Sequence, residues 1–299
     1  MGSTMSFSLA DEFKFVQKNH RHTHVAPVEN TTGPANWPSP QKPLHLIGNV
    51  HGRADLLRSL LTERCKKTGD KTAGKSCLVF TGNYIGYGAG SADVLEWIRA
   101  ADKEFPDDVF CLRGVQEQRF LSFLNNPLTY GQPWLASGGR QVLESFGLEW
   151  PRGLLTADGL LTLRNSLINN IPQSTISWLQ NLPRFWQGGN VLITPSDADS
   201  LGRDSIKTDT AHTQNSTPST ISGSGKGLWH IRGVPALGPH HMKRGCILID
   251  TGSLHLGTLA INTIQSGADV STLIATENSI NTTVIPETCR NSLPAHRNL

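Results

Sequence analysis

The sequence predicts an α/β fold with a mixed sheet flanked by helices, on three observations. Short apolar runs recur at Leu44–Ile47, Cys77–Phe80 and residues 109–112. Each opens into a turn: Gly48-Asn49-Val50-His51-Gly52, Gly82-Asn83-Tyr84-Ile85-Gly86-Tyr87-Gly88, and Arg113-Gly114-Val115-Gln116-Glu117. A helical stretch follows each turn. Strand, turn and helix in that order, three times over, place the turns along one sheet edge, where α/β proteins build their sites.

At 299 residues the chain suits one α/β domain with extensions, or two small domains, and can bury a sizeable core. A formal net charge of +3 and a pI near 8.6 are mild. No basic cluster stands out, which argues against a nucleic-acid partner. The five cysteines include no CxxC pair, and Cys77 and Cys111 fall in predicted buried strands. The expected setting is therefore reducing and intracellular, cytoplasmic in the first instance with an organelle left open. No apolar run approaches the roughly 20 residues that span a bilayer, and no signal peptide is apparent.

Residues 1–42 are expected to form a Pro-rich arm laid on a surface, because Pro27, Pro34, Pro38 and Pro40 break regular structure. Within it, residues 9–19 suit a short helix with Phe13 and Val16 inward. His20, His22 and His24 would offer metal ligands on a strand, but no second ligand set follows, so a solvated tail is the plainer account. Met1-Gly2-Ser3-Thr4-Met5-Ser6 fits the N-myristoylation pattern, a short one that a recombinant start also satisfies.

The core is expected over residues 43–265. Asp55-Leu56-Leu57-Arg58-Ser59-Leu60-Leu61 gives an amphipathic helix after the first turn. Gly69-Asp70-Lys71-Thr72-Ala73-Gly74-Lys75-Ser76 then satisfies the phosphate-loop formula. That loop needs a strand before it and a helix after it, so that backbone N–H groups point at phosphate. Here the order is reversed, so a surface turn is expected. Further helices are predicted at 92–101, 118–124, 134–148 and 175–182, and strands at 190–193, 227–231, 245–250 and 258–264. Residues 201–227, rich in Ser, Thr, Gly and Asn, are expected to form a surface loop. Residues 266–299 are expected to be a tail, polar and irregular from Thr276.

The order of these landmarks resembles the calcineurin-like metallophosphoesterases, most closely the bacterial branch similar to serine/threonine protein phosphatases. That family carries GDxHG, GDxxDRG, GNHE, a histidine after a later strand, and GHTP. Gly52-Arg53-Ala54-Asp55, Ser91-Ala92-Asp93-Val94-Leu95, Gly138-Gly139, Trp178-Leu179-Gln180-Asn181-Leu182-Pro183 and Ile249-Asp250-Thr251-Gly252-Ser253 also look like it. The resemblance spans residues 43–264. It implies the calcineurin-like fold, mixed β-sheets sandwiched and flanked by helices. It also implies two divalent metals that activate a water and clamp a phosphate.

Carried over residue by residue, that chemistry is missing. The first aspartate is Asn49, with the histidine kept as His51. The metal-bridging aspartate is Asn83, and the Asp-Arg pair of the second motif is Gly86-Tyr87. In the third motif Val115 replaces the metal-binding asparagine and Gln116 the acid-base histidine. Thr194 stands for the fourth motif's histidine and Gly233 for that of the fifth, with His230 close by in sequence.

Two divalent ions about 3.5–4 Å apart repel by roughly 18 kcal/mol at an effective dielectric of 20. Anionic ligands normally offset that repulsion, and hard cations choose carboxylate oxygens. None remains at the matched positions, and Gln116 cannot shuttle a proton near neutral pH. The expectation is a pseudophosphatase with no cofactor, acting as a structural or binding component of a protein assembly through its arm and tail. The alternative is a phosphoester hydrolase with one manganese, iron or zinc ion held by His51 with Asp197, Asp199 or His230. Arg53 and Arg113 are candidate anion-binding residues, although ion pairs that hold the turns together are the slightly favoured account of both.

Overall fold

Side-chain alternation along short strands sets the layers. A computed structural model describes residues 37–68, 76–149, 155–195, 228–234, 241–243, 246–250, 257–266 and 270–285. The first half contains β1 (Leu44–Ile47), α1 (Ala54–Thr68), β2 (Cys77–Phe80), α2 (Ser91–Glu104), β3 (Val109–Cys111) and α3 (Val115–Asn125). Then come α4 (Pro127–Trp134), a π-helical segment (Leu135–Gly139), α5 (Arg140–Ser145), α6 (Ala157–Asn170) and α7 (Gln173–Asn181). The remaining strands are β4 (Trp186–Gly188), β5 (Val191–Thr194), β6 (Trp229–Val234), β7 (His241–Lys243) and β8 (Cys246–Asp250). They end with β9 (Thr258–Ile264), β10 (Val270–Thr276) and β11 (Ile280–Ile285).

Two mixed sheets result. The first has the order β11-β10-β9-β1-β2-β3, and the second β4-β5-β6-β8-β7. Strands β1, β2 and β3 are parallel, whereas β9 to β11 are antiparallel to their neighbours. On β1 to β3, Ile47, Leu78, Phe80, Val109 and Cys111 face a helical core with Leu56, Leu60, Ile98, Phe120 and Trp134. The alternate residues Leu44, Leu46, Cys77 and Val79 join Val191, Ile193, Ile231, Ile247 and Ile249 in a second core between the sheets. Period-two alternation thus gives each strand two apolar faces, as a sandwiched sheet requires. The fold is mixed α/β, with mixed sheets and flanking helices.

Several expectations are corrected. The sheet does not end at residue 265, because β10 and β11 extend it by two strands. Thr272, Thr276, Thr282 and Thr283 read as polar, yet Thr is β-branched and suits a pleated surface. Thr272 is 1% exposed and donates to Asn262 Oδ1 at 2.9 Å. The end of the predicted arm is packed into the core: Trp37 meets Trp229 edge-on at 5.7 Å between the sheets. Ser39 N donates to Asn190 Oδ1 at 2.5 Å. The helix predicted over 134–148 is broken by the π-helical segment, where Gly138 adopts φ +98°.

The helix-before, strand-after order around residues 69–76 is confirmed by α1 and β2. Most of that stretch lies outside the described residues. So do the N-terminal motifs, the 9–19 helix, the 201–227 loop, Asp197 and Asp199. No described helix is long and apolar enough to cross a membrane.

His45 on β1 yields a pH prediction. It is 6% exposed, and its Nδ1 lies 2.9 Å from Thr263 Oγ1. Burial holds its pKa well below the ordinary value, and the nearby Arg64 adds to the effect. A depressed folded-state pKa means that the unfolded chain takes up the proton first. The contribution to stability is complete above the unfolded value near 6.5 and is lost as pH falls below it, by up to about 1.4 kcal/mol per pH unit. Urea unfolding at pH 7.5 and pH 5.5 should show this drop, and His45→Gln should flatten it.

Candidate functional site

The three turns meet at the ends of β1, β2 and β3, and main-chain bonds lace the first to the second. Asn49 N donates to Gly82 O at 3.2 Å, His51 N to Asn83 O at 2.8 Å, and Gly52 N to Tyr84 O at 2.7 Å. Gly88 N returns to His51 O at 2.6 Å. Asn49, His51 and Asn83 all have positive φ, at 48°, 49° and 56°. Asparagine tolerates that region better than most residues, so two amide side chains suit these corners.

Glycine allows the close approach. A Cβ on Gly88 would lie 2.5 Å from the carbonyl carbon of Gly52, and one on Gly82 would lie 2.5 Å from Gly114 N. Backbone cannot yield as a flexible side chain does. Gly88→Ala is therefore expected to cost about 3 kcal/mol, read as a lowered midpoint in urea unfolding; an unchanged midpoint would contradict this packing.

The side chains at the centre are held as firmly. Asn83 Oδ1 accepts from Gln116 N at 3.1 Å, and Asn83 Nδ2 donates to Asn49 Oδ1 at 2.8 Å. A backbone N–H can only donate, so the oxygen of Asn83 must face Gln116 and its NH2 group must face Asn49. One amide thus joins all three turns. Asn49, Asn83 and Gln116 are 4%, 3% and 5% exposed.

Glu117, which sequence reading passed over, is the carboxylate at this junction. It is 0% exposed and accepts four backbone N–H groups. Its Oε1 takes Tyr84 N at 2.7 Å and Ile85 N at 3.3 Å. Its Oε2 takes Asn83 N at 2.8 Å and Gly114 N at 3.0 Å. Burial pushes its pKa up, opposed by these four donors. Glu117 at the third helical position reaches back to the N-cap N–H of Gly114, the one half of a capping box that a glycine N-cap permits, and that spacing could have found it. Tyr84 wedges below, donating to Leu112 O at 2.6 Å and stacking on Trp178.

The other predicted residues fall as follows. The His51 ring packs edge-on against Tyr87, with centroids 5.6 Å apart. Val115 opens α3. Arg53 pairs with Asp55 at 2.6 Å and with Glu277 at 3.0 Å, tying the first turn to the β10–β11 connection. Arg113 Nη1 donates to Gln180 O at 3.0 Å. Both arginines thus join separate chain segments. Thr194 and His230 belong to the second sheet, where Thr194 Oγ1 lies 2.8 Å from His230 Nε2. Gly233 is on β6, paired with Ile249 of β8.

A divalent metal does not fit these residues. The matched donors are two amides bonded to each other, and Glu117 is turned into backbone N–H groups. Among the described residues, no three of His, Cys, Asp and Glu are grouped as metal ligands.

No family model matches the chain, and no curated protein matches it. Solved structures of phosphatases do overlap it at low identity. The cold-active protein-tyrosine phosphatase of a psychrophilic Shewanella is 15% identical, covers 88% of each chain and gives a TM-score of 0.48. A protein serine/threonine phosphatase from Saccharomyces cerevisiae is 9% identical over 97% of this chain and 89% of its own, with a TM-score of 0.44. A metallophosphoesterase from Sphaerobacter thermophilus is 13% identical over 85% of this chain and 95% of its own, with a TM-score of 0.38.

Proposed function

We propose that this chain is a catalytically inactive, calcineurin-like metallophosphoesterase homologue, kept as a structural or binding component of a protein assembly. The observation that carries the reading is the Asn83–Asn49 amide bond. It stands where the motif resemblance places two metal-binding carboxylates. An amide offers only a weak neutral oxygen to a hard cation, and here both amides are already engaged. Gln116 occupies the acid-base position and has no titratable proton near neutral pH.

Turns and cores that are built without the matched chemistry support a role in contacts. The turns are packed backbone on backbone, and one core lies between the first sheet and the helices while a second lies between the two sheets. Contact through residues N-terminal to Trp37 and C-terminal to Ile285 is part of the proposal. The test is hydrolysis of a chromogenic phosphate ester with manganese, together with co-purification of the native protein from its own cells. The reading expects no turnover and a stoichiometric protein partner; metal-dependent turnover would overturn it.

A further inference from the structure

We infer that the Asn83 side-chain amide ties the three turns together alongside the main-chain bonds and Glu117, so that this junction assembles without any cation and position 83 requires an amide rather than a carboxylate. The inference rests on the catalytically inactive reading, and it names a group that helps make the turns self-supporting. Three contacts carry it. Asn83 Oδ1 takes the N–H of Gln116 from the third turn. Asn83 Nδ2 reaches Asn49 in the first. The main-chain N–H of Asn83 is fixed by Glu117. These bonds determine which end of the amide points where, because Gln116 supplies only a donor and Asn49 supplies its oxygen.

A carboxylate at 83 has no donor. Its second oxygen would face Asn49 Oδ1 across 2.8 Å, at a site where Asn83 is 3% exposed. Turning Asn49 over would relieve that contact but leave a buried charge whose desolvation neutral donors offset poorly. Without a cation, then, Asp is worse than Asn at this position, although the two are the same size. Alanine loses both bonds and strands a buried N–H of Gln116.

Thermal unfolding of the full chain, in chelator and in millimolar manganese, tests the inference on wild type, Asn83→Asp and Asn83→Ala. The wild-type midpoint is expected to be the same in both conditions. Both variants should melt about 6 °C lower in chelator. An Asn83→Asp variant as stable as wild type in chelator would overturn the inference, and so would a wild-type midpoint that falls on chelation. Should Asn83→Asp not fold, Asn83→Ala decides: a midpoint within a degree of wild type contradicts the role. Turnover of phosphate ester by the wild type would sink the inactive reading while leaving these melting shifts as a separate result.

Discussion

Glu117→Gln is expected to lower the melting temperature by about 10 °C. The carboxylate presents two oxygens to four backbone donors, from Asn83, Tyr84, Ile85 and Gly114. Glutamine keeps one oxygen and points its NH2 group at N–H groups that need an acceptor. Two buried donors lose their partner and meet another donor instead. At about 1–3 kcal/mol for each stranded buried donor, the loss is about 4 kcal/mol. Glu117→Ala strands all four and should leave the purified protein unable to fold cooperatively. Urea and thermal unfolding measure both, and a Glu117→Gln loss below about 1 kcal/mol would mean that the junction is held some other way. The same residue sits in the first turn of α3, where a negative charge also favours the helix N-terminus.

The second large effect concerns chemistry. A phosphoesterase accelerates ester hydrolysis by many orders of magnitude, typically 10⁶-fold or more. Two metals do most of that work by activating water and neutralising developing charge. Here the matched positions offer Asn49, Asn83, Val115, Gln116 and Thr194, and the carboxylate beside them, Glu117, is engaged by four backbone N–H groups. His51 remains, but it packs against Tyr87, and His230 is held beside Thr194. Turnover is therefore expected at the level of buffer, with manganese, iron or zinc added in turn.

Much of the fold was legible because its signals are local. The apolar runs of β1, β2 and β3 stand directly before their turns, and Thr258–Ile264 carries its strand in its own composition. The later strands β10 and β11 were misread because threonine was weighed as a polar residue and not as a β-branched one. The α6 helix went unpredicted although Leu160, Leu163 and Leu167 sit at helical spacing and are buried. At the site, residue identity was enough to see which charges are missing. Contacts were another matter. That Arg53 meets Glu277, 224 residues away, depends on where the β10–β11 connection folds back. That Asn83 bonds Asn49 depends on two positive-φ corners meeting. Glu117 was in view within its motif, yet its four partners are main-chain groups and leave no trace in side-chain identity.

The central claim is that form has outlived chemistry in these turns. It is tested most directly by measuring metal content and phosphate-ester hydrolysis on the same preparation of native protein, before and after incubation with manganese. The account predicts substoichiometric metal and no hydrolysis above background in either state. Stoichiometric manganese, iron or zinc, with turnover that chelator abolishes, would contradict it.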